Sequence, residues 1–178
     1  YGIEIDLQLT LDGVPLIYHD YDLKRLVGSN QKLDEITYSE VKKFLLPNGE
    51  GIPSLYEVLD LVNGRVPIFL EVKSQDSNLG SKIGPLEKKV AEALKNYVGQ
   101  VAIMSFNPYS ILQLGSLMPH IPRGLVTERF SYQDWPNLSE AYRNSLQNMD
   151  YSIPLRISFI SHNFSDLKNS IIQKQKDL

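Results

Sequence analysis

No cysteine occurs in the chain, so disulfide-stapled scaffolds and thiolate zinc sites are excluded, while the redox compartment stays open. No stretch approaches the roughly 18 apolar residues that a membrane-spanning helix needs. The opening Tyr1-Gly2-Ile3 has neither the basic nor the apolar part of a secretory leader. An excess of positive charge is also missing: 18 Lys and Arg stand against 21 Asp and Glu, a formal net charge of −3. A global basic field for nucleic acid or an anionic membrane is therefore lacking, no nucleic-acid partner is expected, and an anionic substrate has to meet a local cation. Neither Gly-x-Gly-x-x-Gly nor Gly-Lys-Ser/Thr appears, which takes support from the dinucleotide- and nucleotide-loop folds.

What is present is ordinary globular composition, with 178 residues of which 42% are hydrophobic and 22% charged. That is enough for one sizeable core, and a single domain over 1–178 is expected. The first residue is not Met, and an apolar-alternating segment begins within two residues, which reads as part of a longer protein.

Ile3, Ile5, Leu7, Leu9 and Leu11 alternate with Glu4, Asp6, Gln8, Thr10 and Asp12, the period of a long strand with one apolar face. Asp12-Gly13 turns the chain into Val14 to Tyr18, so a β-hairpin is expected, ending at His19-Asp20. Residues 21–51 are polar and punctuated by Gly and Asn, an insertion holding one short helix over Val41 to Leu45 behind a Thr37/Glu40 capping box. Ser54 and Glu57 repeat that box before Leu55, Val58, Leu59 and Val62, Asn63-Gly64 ends the helix, and Val66 to Lys73 reads as a strand. The alternation continues with a helix Pro85–Tyr97, a strand Val101–Phe106 and a helix from Asn107-Pro108 to Met118. It goes on with a strand Gly124–Thr127, a helix Leu138–Leu146, a strand Ile157–Ile160 and a last helix from about Ser165. Strands alternating with helices at this spacing predict a parallel α/β architecture, with a barrel in the lead.

Glu4 and Asp6 share one face of a strand, opposite the isoleucines and leucines. Paired carboxylates facing a sheet or barrel interior are costly unless a cation or protons neutralise them; the alternative is a solvated face of an edge hairpin. Glu71 tilts the balance, because it stands near the C-terminal end of the apolar run Ile68 to Val72, where parallel α/β folds place function, with Lys73 on the same face. Three carboxylates from two strands make an all-oxygen set suited to a hard cation such as Mg²⁺ or Ca²⁺, while a Glu71–Lys73 surface pair is the plainer reading. His19 closes the hairpin and is the side chain best matched to proton transfer near neutral pH. His120 lies in a Pro-bounded loop and reads as a surface residue, and His162 follows a strand with nothing else to support a role.

The string Gly2 to Asp20, with Glu4-Ile5-Asp6, Thr10-Leu11-Asp12-Gly13-Val14-Pro15 and His19-Asp20, closely resembles the glycerophosphodiester phosphodiesterases. Three further blocks agree in order: Ile52-Pro53-Ser54-Leu55 with Glu57-Val58-Leu59, Leu70-Glu71-Val72-Lys73, and Ser105-Phe106-Asn107-Pro108. The resemblance implies a TIM-type (β/α)8 barrel with a small insertion after the second strand, of which this chain covers about strands two to six. It further implies that Glu4, Asp6 and Glu71 bind one divalent cation, that His19 is a general acid/base, and that Lys73 contacts the phosphate. The implied reaction is metal-dependent hydrolysis of a small glycerophosphodiester to sn-glycerol 3-phosphate and an alcohol, a step of glycerolipid metabolism.

Three departures stand out. The family's His-Arg-Gly tripeptide and its Trp-Thr-Val-Asn block are missing, the one Trp being Trp135 before Pro136, and Arg25-Leu26-Val27-Gly28 replaces the usual Arg-Thr-Thr-Gly. Two other functions follow from keeping the fold. One is a non-catalytic phosphate-ester-binding or regulatory domain; the other is a phospholipase D-like enzyme acting on lysophospholipids, which would release choline from lipid. A barrel fold of this kind needs about 250 residues, so the 178 residues by themselves are expected to expose sheet edges and to aggregate.

Overall fold

The structure is a computed structural model that describes residues 1–151 and 155–175. Its strands are β1 (Ile3–Leu9), β2 (Pro15–Ile17), β3 (Ile68–Val72), β4 (Val101–Ser105), β5 (Arg123–Thr127) and β6 (Phe159–His162). They form one sheet in the order β2-β1-β3-β4-β5-β6. The β1–β2 pair is antiparallel, as the Asp12-Gly13 turn requires, with Gly13 at φ 78°. All other neighbours are parallel.

Between the strands run α1 (Lys24–Val27), α2 (Tyr38–Val41), α3 (Leu55–Val62), α4 (Leu86–Leu94), α5 (Pro108–Leu117) and α6 (Glu140–Gln147), with α7 (Ser170–Gln175) after β6. α3 shows how locally such an element is specified. The Ser54 N–H donates to Glu57 Oε2 at 2.8 Å and the Glu57 N–H to Ser54 Oγ at 3.3 Å, so two otherwise orphaned donors are satisfied. Leu55, Leu59 and Val62, four and three residues apart, form the stripe that it buries, and Asn63 ends it in the left-handed region.

Period 2 sorts each strand. Leu7, Ile68, Leu70, Val72, Ile103 and Leu125 point to the helices and join them in the main core, leaving the opposite face to polar and aromatic side chains. That face curls: the rings of Phe69 on β3 and Phe159 on β6 meet edge to face at 5.9 Å, although β4 and β5 lie between their strands. A second core of Leu16, Tyr18, Leu23, Leu33, Ile36, Val41 and Ile52 packs the residue 21–51 stretch onto the hairpin.

Several boundaries differ from the sequence reading. β1 stops at Leu9, because Thr10 enters the turn and Leu11 is 64% exposed. The helix expected over Val41 to Leu45 is one turn, Tyr38–Val41, after which Leu45 pairs with Gly51 in an antiparallel bridge. α6 starts at Glu140, where Ser139 caps it, and not at Leu138. The strand expected at Ile157–Ile160 lies two residues later, set by the Gly124–Phe159 and Thr127–His162 registers. Phe164–Asp166 is a 3₁₀ turn, so the last helix begins at Ser170 and not near Ser165.

Candidate active site

The parallel register of β1 and β3 sets Asp6 directly beside Glu71, with Glu4 one side-chain repeat away on β1. Oxygens of Glu4, Asp6 and Glu71 lie within 4.8 Å of one another. Glu71 is only 8% exposed, and three carboxylates this close repel. Lys73 answers part of that charge: its Nζ lies 2.8 Å from Asp6 Oδ1 and 2.6 Å from Glu71 Oε1. Burial alone would depress the Lys73 ammonium, but the hydrogen bonds to Asp6 and Glu71 outweigh it and raise its pKa. Glu4 is pushed up by burial first and then by the negative charges of Asp6 and Glu71. One ammonium against three carboxylates leaves formal negative charge at an all-oxygen cluster, and a hard divalent cation fits that donor set.

His19 is placed by the hairpin. The Tyr18 N–H donates to the Asp6 carbonyl at 3.0 Å, and the Gln8 side chain donates to the His19 carbonyl at 3.3 Å. Its Nδ1 is 2.7 Å from Asp20 Oδ1. Arg25 donates to the same carboxylate twice, from Nε at 2.7 Å and Nη2 at 3.0 Å. The Arg25 guanidinium, ahead of all other causes, holds the Asp20 carboxyl below its ordinary range. With Nδ1 engaged, Nε2 is the ring nitrogen without a partner among the described residues, on a side chain 63% exposed.

The Ser105-Phe106-Asn107-Pro108 block has a positional purpose. Ser105 Oγ donates to the Val72 carbonyl at 2.7 Å, and Asn107 Nδ2 donates to Ser74 Oγ and to the Gly80 carbonyl, each at 3.0 Å. Asn107 also caps α5 through Tyr109 N at 2.9 Å. The chain leaving β3 after Glu71 and Lys73 is thereby tied to β4 and α5.

Glu71, Lys73 and His19 line one cavity of about 440 Å³, together with Tyr21, Phe106 and Trp135. Sequence reasoning assigned no role to those three aromatics. Trp135 stood out only as a departure from the family pattern, and its place follows from packing against Phe106 at 5.5 Å and Phe130 at 5.7 Å. His120 is exposed, as expected. His162 is the last residue of β6 and does not follow it; its ring is buried, with Nδ1 2.8 Å from Thr127 Oγ1 and Nε2 3.3 Å from Asp166 Oδ2. It does not line the His19 cavity.

Residues 1–167 match the model of the Glycerophosphoryl diester phosphodiesterase family. The chain belongs to that family. A glycerophosphodiester phosphodiesterase of Caldanaerobacter subterraneus subsp. tengcongensis is 32% identical over 145 residues, covering 75% of this chain and 58% of the relative. One from Bacillus altitudinis is 32% identical over 135 residues, covering 71% of this chain and 54% of its own length. The chain thus spans a little over half the length of these two relatives. Among solved structures, an Oleispira antarctica phosphodiesterase in complex with the product sn-glycerol-3-phosphate superposes at TM-score 0.71 and 20% identity, over 98% of this chain and 69% of that one. A Thermotoga maritima glycerophosphodiester phosphodiesterase superposes at 0.68 and 21% identity, over 97% and 65%. The fold of this family member is therefore that of the TIM-type phosphodiesterase barrels, and its six-stranded, mainly parallel sheet is built to that plan.

Proposed function

We propose that this chain carries the catalytic centre of a metal-dependent glycerophosphodiester phosphodiesterase, releasing sn-glycerol 3-phosphate and an alcohol in glycerolipid breakdown. The convergence of Glu4, Asp6 and Glu71 beside a cavity that His19 and Lys73 share carries this reading. Family membership and the product named for the Oleispira antarctica structure support it.

In this reading Glu4, Asp6 and Glu71 hold one Mg²⁺ or Ca²⁺, which when bound offsets phosphodiester charge. Lys73 supplies the second positive charge toward the non-bridging phosphate oxygens. His19, oriented through Nδ1 by Asp20, moves a proton at Nε2. The net reaction adds one water: its oxygen joins phosphorus, the bond from phosphorus to the alcohol oxygen breaks, and the alcohol leaves with a proton. Tyr21, Phe106 and Trp135 wall the cavity and limit water around the diester.

The test is release of sn-glycerol 3-phosphate from glycerophosphocholine by the full-length protein, with Mg²⁺, with Ca²⁺ and with chelator. Activity is expected with a divalent cation and is expected to vanish in Glu71→Gln. A Glu71→Gln variant as active as the parent overturns the metal assignment. A parent protein that binds the diester without cleaving it favours a phosphate-ester-binding domain.

A further inference from the structure

Gln8 stands one side-chain repeat beyond Asp6 on the same face of β1, between the hairpin that leads to His19 and the chain that leaves β3 at Lys73. It is 2% exposed, and it belongs neither to the carboxylate cluster nor to the wall of the His19 cavity. A buried side-chain amide is costly unless its donor and its acceptor are both engaged. Here both are: Gln8 Nε2 donates to the His19 carbonyl and Gln8 Oε1 accepts from Gln75 Nε2, each at 3.3 Å. Gln75 Nε2 donates in turn to the Lys73 carbonyl at 3.0 Å. We propose that Gln8 and Gln75 form an amide bridge that positions His19 against Lys73 and the carboxylate cluster, which makes both of them positioning residues for the reaction. This rests on the hydrolase reading given above.

The bridge has one polarity. His19 and Lys73 each present a carbonyl, which only accepts, so both amides donate outward and Gln8 Oε1 is left to receive the other Gln75 hydrogen. A carboxylate at position 8 or 75 has no hydrogen to donate, and an apolar side chain completes neither bond.

The support is needed at His19 more than at Lys73. Lys73 is already held by its ion pairs to Asp6 and Glu71, and its N–H donates to the Leu7 carbonyl at 3.1 Å. His19 lies two residues past the end of β2 with an exposed side chain. Asp20 holds the ring at Nδ1, but as the next residue of the same turn it does not fix where that ring stands relative to the cluster. Gln8 ties the His19 carbonyl to β1, and the Tyr21 hydroxyl adds a second tie by donating to the Ser74 carbonyl at 2.9 Å. Misplacing a reacting group by about 1 Å costs on the order of 100-fold in rate, and losing one of two ties is expected to cost part of that.

Gln8→Met keeps the length of the side chain and removes both bonds. In the full-length protein it is expected to lower kcat for glycerophosphocholine about ten-fold, with KM changed by less than about two-fold because Lys73 keeps its ion pairs. Added to His19→Asn, it is expected to cost less than about two-fold, since no imidazole is left to position. Gln75→Met is expected to match Gln8→Met, and the two together to cost no more than either, as in a chain cut at one link or at both. An equal loss on the His19→Asn background, losses that multiply in the double variant, or a folded Gln8→Met protein as active as the parent each overturn the bridge. Should Gln8→Met not fold, the part-buried Gln75→Met carries the same cycle with His19→Asn. A second measurement needs no catalysis. In ¹⁵N spectra of the histidine rings, the signal that His19→Asn removes is expected to shift or broaden in the glutamine variants while the other histidine signals stay in place. A His19 signal that does not move, or one that moves together with all the others, overturns the proposal. If the parent cleaves no diester yet the His19 signal alone responds, the hydrolase reading fails and the bridge stands.

Discussion

Lys73 Nζ lies 2.6 Å from Glu71 Oε1, the shorter of two ion pairs by which one ammonium bridges two strands. Lys73 and Glu71 are two residues apart and so face the same way, while Asp6 arrives from β1 through the parallel register. The ammonium stands among carboxylates whose mutual repulsion it relieves.

Removing it exposes that repulsion. Lys73→Met keeps most of the apolar stem and deletes the charge, and is expected to lower stability by about 2 kcal/mol in chelator. Added Ca²⁺ or Mg²⁺ is expected to restore much of the loss, since a bound divalent cation stabilises the folded state by mass action. Thermal melts of parent and variant, with and without cation, decide it: an equal cation response in both speaks against a shared carboxylate cluster.

Asp20 is placed to act through His19, whose Nδ1 it holds. Asp20→Asn leaves a side chain of the same shape but removes the charge that fixes the His19 ring at Nδ1. A loss of about 10- to 100-fold in kcat is expected, with KM little changed, and His19→Asn is expected to lose more, in the range of about 10²- to 10⁴-fold. Arg25→Ala is expected to fall between parent and Asp20→Asn, because Asp20 keeps its charge but loses both guanidinium bonds. Steady-state kinetics across pH separates these: a merely structural role would leave the shape of the pH profile unchanged.

The placement of the candidate site residues was legible in the sequence where local rules apply. Glu4, Asp6, Glu71 and Lys73 sit at period-2 positions of short apolar strands, so their shared face could be read without knowing which strands pair. Ser54 and Glu57 announced α3 in the same local way. What was not legible depends on distant partners. β6 is displaced because its register answers to Gly124 on β5. Trp135 reaches the mouth by packing on Phe106 and Phe130, and nothing in the spacing around Trp135 points there. The helix expected over Val41 to Leu45 is instead one turn, Tyr38–Val41, because the Leu45–Gly51 bridge claims the backbone that follows it.

Gly124 is the clearest of these distant constraints. A Cβ built there meets the ring of Phe159 at 2.5 Å and the Phe159 carbonyl oxygen at 2.7 Å, and the backbone of a paired strand cannot withdraw. Gly124→Ala is expected to cost about 1–3 kcal/mol, the usual range for overpacking. A urea midpoint unchanged by Gly124→Ala would mean that β6 does not pair with β5 in this register.

Glu87 adds a pH dependence remote from the mouth. It is fully buried on α4, with Oε1 accepting from Ser110 Oγ at 2.5 Å and Oε2 without a partner. Burial raises its pKa above the ordinary 4.5, so the folded state holds the proton more tightly than the unfolded chain does. The stability that this contributes is fully present below pH 4.5 and is lost as pH rises through the folded value. Glu87→Gln keeps an acceptor for Ser110 and cannot ionise. It is therefore expected to exceed the parent by about 1 kcal/mol near neutral pH and to match it in acid. Urea melts of both proteins between acid and neutral pH check the sign, and a variant that loses ground to the parent as pH rises would show that the fold favours the Glu87 carboxylate over its acid.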